Sequence, residues 1–166
     1  MRFAWGFDEE ADECREMKLE LLQQIMVLRQ QGVTRFSVAC DCGVGLYAAE
    51  LINVLRDNDP ELMLFCITPY EEQATKWTPE LRERYFDMLT KCTYMSAVYR
   101  HKQPDAQLEA YRTIIQQSDM VLAVYDPTSA RGDDADAAIQ YAQELKRPIL
   151  LIHPDSRETA YTDTKV

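Results

Sequence analysis

Residues 40–45 read CDCGVG, so two thiols, a carboxylate and two glycines stand close together. Such a run suits a backbone cradle for a ligand, a metal clip or a plain tight turn. Gly43 and Gly45 let a backbone approach a ligand closely, and a helix opening there would point its amides at an anion. A plain turn needs the same glycines. The metal reading is the weakest. Structural zinc wants a full tetrahedral ligand set with a wider gap between paired cysteines, and His101 and His153 stand far off in sequence. A redox pair would read C-x-x-C, and Cys40 and Cys42 are spaced C-x-C.

Three other stretches carry polar chemistry beside apolar runs. In ITPYEEQATKW (residues 67–77), Pro69 ends a strand, Gln73 offers an amide, and Trp77 offers an aromatic face or an indole donor. In YDPTSARGDDAD (residues 125–136), Asp126 ends a strand. Thr128, Ser129 and Arg131 could hydrogen-bond a phosphate beside Gly132, while Asp133, Asp134 and Asp136 would oppose one and suit a capped helix start. In SAVYRHKQPDAQ (residues 96–107), Arg100, His101 and Lys102 make a local basic cluster that fits a solvated loop. His101 has no visible acid or nucleophile beside it, so no triad is indicated.

The elements that must position these residues alternate. Met17, Leu21, Ile25 and Leu28 form one helical stripe over residues 8–31, and Gly32 stops that helix. RFSVAC reads as a strand, and residues 44–57 as a helix with Leu46, Ala49, Ile52 and Leu55 on its apolar side. LMLFCIT is a continuous apolar run, the mark of a strand buried on both faces. Thr78-Pro79 caps a helix running to Lys91. TYMSAVY, MVLAVYD and PILLIH are strands; helices centred on Tyr111 and on ADAAIQYAQEL separate them. Alternation of this kind predicts an α/β fold with a mostly parallel sheet and helices on both faces, its ligand sites beyond the carboxyl ends of the strands. Residues 1–154 are expected to form one domain, and 155–166 a polar, frayed tail.

Composition excludes several classes. The chain has 166 residues and a net charge of −10, so a nucleic-acid partner is not expected. It has no apolar run of membrane-spanning length, so no membrane partner is expected either. The start turns acidic at once, unlike a signal peptide, which points to a cytoplasmic protein. The five scattered cysteines are then most simply buried small apolar residues.

Several segments together carry a family resemblance. WGFDEEADECREMKLELLQQIMVLRQQGVTRF, GVGLYAAELI, ITPYEEQATKW, LRERYFDML, SDMVLAVYDP and AIQYAQELKRPILLI fall in the order and spacing of the YpsA-like branch of the SLOG superfamily. That superfamily is named for the DNA-processing protein DprA and the cytokinin-activating LOG enzymes. The resemblance implies a bacterial, three-layer Rossmann-like domain binding a nucleotide-derived small molecule, related to NAD, ADP-ribose or another nucleotide. It places Gly43 and Gly45 in the family's glycine turn, Glu50 at the glutamate of AAE, Pro69, Gln73 and Trp77 in the loop after the next strand, and Asp126 at the end of LAVYD. Asp41 and Cys42, and Ser129, Arg131 and Gly132, complete the candidate ligand set by position in the two turns.

The chain also departs from that pattern. Cys40, Asp41 and Cys42 replace the small residues of the family turn, Gly45 stands where an acidic residue usually follows GV, and Ala110-Tyr111 replaces an Arg-Asn or Lys-Asn pair. SARGDD replaces a Gly-Gly-Thr cradle. The family opens with a strand ending near TGHRP, and this sequence begins just after that point, so the resemblance implies a sheet lacking its first strand. The leading expectation is a regulatory binder, with catalysis not favoured. N-glycosidic hydrolysis of a nucleotide, as in LOG relatives, is the alternative, with Glu50, Asp41 and Asp126 as available carboxylates. A diverged structural or interaction protein with a decayed site is the third reading. Homo-oligomerisation is left open.

Overall fold

The computed structural model describes residues 2–162. In chain order the elements are α1 (Asp12–Gln30), β1 (Arg35–Val38), α2 (Val44–Arg56), β2 (Met63–Tyr70), α3 (Pro79–Lys91), β3 (Tyr94–Tyr99), α4 (Ala106–Gln117), β4 (Val121–Val124), α5 (Asp134–Glu144), β5 (Ile149–Ile152) and β6 (Thr159–Thr162). The alternation is that of an α/β, Rossmann-like fold. The chain divides into two compact units, Ile25–Ile114 and the pair of segments Met1–Gln24 and Ile115–Val166.

The Ile25–Ile114 unit is built on a parallel sheet in the order β1-β2-β3. Val38 pairs with Cys66 on β2, and Phe65 pairs with Tyr94 on β3. Leu64 and Cys66 of β2 are buried, as are Leu46, Ala49 and Ile52 of α2 and Tyr85 and Met88 of α3. Each large apolar side chain so enclosed favours folding by about 1.5–3 kcal/mol. Asn53, the polar residue in the apolar stretch of α2, is buried because it is satisfied. Its Nδ2 donates to Met88 O at 3.1 Å, and its Oδ1 accepts from Arg56 at 3.1 Å. Thr78 caps α3 by accepting from Leu81 N at 3.4 Å. Gly32, at φ 100°, turns the chain out of α1 as Val33 N reaches back to Leu28 O at 3.0 Å.

The other unit contains the buried Cys14, Met17 and Leu21 of α1 and a sheet in the order β4-β5-β6. β4 and β5 are parallel, with Leu122 opposite Leu150; β5 and β6 are antiparallel, with Leu150 opposite Tyr161. Asp133 caps α5 in a reciprocal box with Asp136.

Three boundaries differ from the sequence reading. The first helix starts at Asp12, and Asp8 instead accepts from Glu10 N at 3.0 Å in a turn before it. Pro69 lies inside β2, which continues to Tyr70 opposite Tyr99. β1 ends at Val38 opposite Cys66, so beyond that point β2 pairs with β3 alone, and a residue without an N–H costs no ladder bond on the open side. In the predicted tail, Thr159–Thr162 forms β6. β-branched and aromatic residues there complete the edge of β5 although all of them are exposed. Residues 163–166 of that tail lie outside the described residues. Among the described residues, β1 has one sheet neighbour, β2, and β4 has one, β5.

Candidate functional site

The turn after β1 is held from three sides by its own unit. Cys40 takes a positive φ of 59°, which bends the chain sharply out of the strand. Gln73, buried in the loop after β2, points its Nε2 at Ala39 O (3.4 Å), Cys40 O (3.5 Å) and Tyr85 Oη (3.1 Å). Tyr111 of α4 donates from its hydroxyl to Asp41 Oδ2 at 3.2 Å. The Asp41 side chain folds over Gly45, where a Cβ would come 3.2 Å from Asp41 Cγ and 3.3 Å from Cys40 N, and closer still to Oδ1. The residue keeps some exposure, but its carboxylate end is desolvated, and that burial raises its pKa against the pull of Tyr111. Gly45 therefore makes room for the chain's own carboxylate. Gly43 differs: at φ 113° it caps α2 with nothing within 4 Å of where a Cβ would be.

The start of α2 has no side-chain cap bond. Leu46 N goes to Asp41 O at 3.0 Å and Tyr47 N to Gly43 O at 3.0 Å. Among the described residues, the main-chain N–H groups of Val44 and Gly45 make no hydrogen bond. Two amides at the positive end of a 13-residue helix, just beyond the carboxyl end of a parallel strand, are thus left without a protein acceptor among the described residues.

The remaining candidates of this unit support the turn or stand beside it. Pro69 is buried in β2. Trp77 is half-buried, its ring edge-on to Tyr85 at 5.1 Å. Burial pushes the Tyr85 phenol up to about 12. Glu50 is engaged by the Arg84 guanidinium in a two-bond fork of 2.7 and 3.1 Å. Cys42 is half-buried. Sequence reasoning misses Tyr111 and Tyr85 because each reaches the turn from a different helix; the position of Tyr111 in place of the family's basic-Asn pair is the one available signal.

The second unit has its own strand-end cluster. Asp126 follows β4, and its Oδ1 accepts from Thr128 N at 2.8 Å and Thr128 Oγ1 at 2.7 Å, which holds its pKa below the usual carboxylate value. His153 follows β5, with Nε2 3.6 Å from Asp126 Oδ1. Its Nδ1 accepts from Asp155 N at 3.1 Å and Ser156 N at 3.2 Å, leaving the proton of a neutral ring on Nε2, toward Asp126. Linear distance hides this pair, which adjacent strand ends bring together. Arg2, Asp126, Ser129, Arg131, Pro154 and Asp155 line a cavity of about 60 Å³.

The loop that follows is closed on itself. Asp136 accepts from the main-chain N–H groups of Arg131, Gly132 and, at 3.4 Å, Asp133, from Tyr125 Oη at 2.6 Å and from Arg2 at 3.0 Å. The Tyr125 hydroxyl leads these donors in holding the Asp136 carboxyl far below its ordinary value. Arg2 also pairs with Asp133 and lies 5.0 Å from the Tyr125 ring. The amides of Arg131 and Gly132, candidates for a phosphate, are thus taken by the chain's own carboxylate.

Comparison with known proteins agrees with this architecture. Residues 3–157 match the sequence profile described as the YspA SLOG family, YpsA. A UPF0398 protein of Halalkalibacterium halodurans is 32% identical over 106 residues, covering 63% of this chain and 56% of that protein. UPF0398 proteins of Bacillus pumilus and Brevibacillus brevis are 27% and 29% identical, covering 73% and 72% of this chain and 66% and 65% of theirs. The chain thus spans between 56% and 66% of the length of these relatives. No helix among the described residues is long and apolar enough to cross a membrane. With the profile covering nearly its full length, the chain belongs to the YpsA SLOG family.

Proposed function

We propose that this protein binds a nucleotide-derived small molecule, of the NAD or ADP-ribose kind, in a regulatory and cytoplasmic setting. The observation that carries this reading is the β1–α2 turn. It is fixed by Gln73 and Tyr111, opened by Gly43, and presents the unbonded amides of Val44 and Gly45 at a helix N-terminus. Such a turn suits a phosphate or another anionic group approached by main chain. With a net charge of −10, binding should weaken as salt rises only where it rests on those amides and the helix end, because the overall field repels an anion.

Glycosidic hydrolysis is the second reading, favoured by one observation. Burial raises the Asp41 carboxyl, the direction a general acid requires near neutral pH. A thermal-shift panel with NAD, ADP-ribose and AMP tests binding, and chromatography of each incubated nucleotide tests turnover. Stabilisation by at least one nucleotide with intact recovery supports the binder. A released base supports the hydrolase. No shift at millimolar nucleotide overturns both. Gly43→Val should abolish the shift while the variant stays folded by circular dichroism, and a shift that survives it removes the turn from the site.

A further inference from the structure

α3 (Pro79–Lys91) packs inward through Tyr85 and Met88, both buried, and its Arg84 reaches Glu50 of α2 at 2.7 and 3.1 Å. On its outer side Glu80, Glu83 and Asp87 stand one per helical turn, at i, i+3 and i+7. Phe86 lies beside this row and is 56% exposed, its ring edge-on to Tyr85 at 5.5 Å. Glu80, Glu83, Arg84, Phe86, Asp87 and Thr90 line an open groove of about 600 Å³. Core packing does not require a phenyl ring there, because Tyr85, Met88 and the Thr78 cap already anchor the helix.

The groove carries excess negative charge. Among the described residues Glu80 and Glu83 make no hydrogen bond or ion pair. Arg84, the cation among the lining residues, is neutralised by Glu50. Asp87 pairs with Lys91 at 2.8 Å, an exposed i,i+4 pair that an incoming cation can exchange. An exposed aromatic ring beside unpaired carboxylates fits an occupant that is apolar along one stripe and cationic next to it. We propose that the outer face of α3 docks a basic amphipathic helix of another protein, with an apolar side chain over Phe86 and lysines or arginines on Glu80, Glu83 and Asp87. The net charge of −10 steers such a segment toward the chain.

Other occupants match this face less well. A second copy would bring its own charge of −10, and its local basic cluster, Arg100, His101 and Lys102, holds no apolar residue to cover Phe86. A nucleic acid would meet carboxylates where it needs a basic patch. A small organic molecule would stay mostly in water, since the groove is open and lined by one helix, whereas ligand pockets enclose most of their guest. Among the described residues no group of three His, Cys, Asp or Glu is placed to hold a metal ion. A helix suits the spacing, because its own side chains at i, i+3 or i+4, and i+7 repeat at the interval of the three carboxylates. This docking requires no nucleotide.

The test titrates the full chain, in physiological salt, into a fluorescein-labelled amphipathic peptide of about 18 residues, with leucines along one stripe and lysines flanking it, and reads anisotropy. Peptides of the same composition in scrambled order, and with glutamate in place of lysine, serve as controls. The expected result is saturable binding of the ordered lysine peptide alone. Phe86→Ala and the double variant Glu80→Gln/Glu83→Gln should each weaken it by about tenfold, and the double variant should also flatten its salt dependence. Glu13→Gln/Asp119→Asn removes the same charge from exposed positions elsewhere and should change binding by less than about twofold. All the substituted side chains are exposed, so the variants keep the fold, which circular dichroism checks. No binding, equal binding of the scrambled peptide, unchanged binding by Phe86→Ala, or equal weakening by Glu13→Gln/Asp119→Asn overturns the proposal. A dimer of the peptide-free chain in sedimentation that Phe86→Ala abolishes also overturns it, and gives the groove to a second copy.

Discussion

Gly45→Ala is the sharpest probe of the β1–α2 turn, because its sign depends on one neighbour. Gly45 is inside α2, where alanine normally stabilises by about 1 kcal/mol relative to glycine. Here the new Cβ would stand 3.2 Å from Asp41 Cγ and 3.3 Å from Cys40 N, and would overlap Asp41 Oδ1. The carboxylate must move, and moving it strains the bond from Tyr111 Oη, now 3.2 Å. Overpacking costs about 1–3 kcal/mol, and a bond to a charged group is worth about 1.5–3 kcal/mol. Against the helix gain, the net expectation is a loss of about 1–2 kcal/mol. For a chain of this length that lowers Tm by about 2–4 °C per kcal/mol. With Asp41→Ala already in place the overlap is gone. Only the contact with Cys40 N remains, and Gly45→Ala should then stabilise by about 0.5 kcal/mol. Urea denaturation of the four proteins of this cycle should give a coupling energy of about 2 kcal/mol, as for residues in direct contact. Equal effects of Gly45→Ala in both backgrounds, or stabilisation in the native one, would refute the account of Asp41 packed on Gly45.

Gln73→Leu should lower stability by about 1–2 kcal/mol in urea unfolding, since it strands Tyr85 Oη and two turn carbonyls without their donor; an unchanged midpoint counts against the amide as the clamp. Asp136→Asn tests the closed loop through pH. The native carboxyl is depressed below its unfolded value of 3.8, so its contribution is present above that pH and lost as pH falls through the folded value. Native protein should therefore be the more stable at neutral pH, the two thermal midpoints should converge as pH drops below about 4, and a constant gap would remove Asp136 from that role.

The regular elements were legible because burial wrote them into the sequence. LMLFCIT and MVLAVYD are apolar runs, and β2 and β4 follow them. β6 was not, because all four of its residues are exposed and only pairing with β5 makes it a strand. Pro69 misled because proline is a stop signal only where an N–H is required, and the end of β1 removes that requirement. The glycine turn was visible from its residue types. Its supports were not: Tyr111 and Asp41 are 70 positions apart, and Asp126 and His153 meet only through the adjacency of β4 and β5.

The two glycine-bearing turns after parallel strands solve the same electrostatic problem in opposite ways. A helix N-terminus leaves amides that need acceptors. In the loop before α5, Asp136 takes the amides of Arg131, Gly132 and Asp133, with Arg2 balancing its charge, so an incoming anion would have to displace a carboxylate already held by five donors. In the turn before α2, the Asp41 carboxylate instead lies over Gly45 and accepts from Tyr111, and among the described residues the Val44 and Gly45 amides make no hydrogen bond. A carboxylate swung onto those amides would cap α2 at no cost in new residues, worth about 0.5–2 kcal/mol. That the fold instead desolvates it against a tyrosine is the physical argument that supports the proposed site at α2, with main chain as its host and Asp41 beside it.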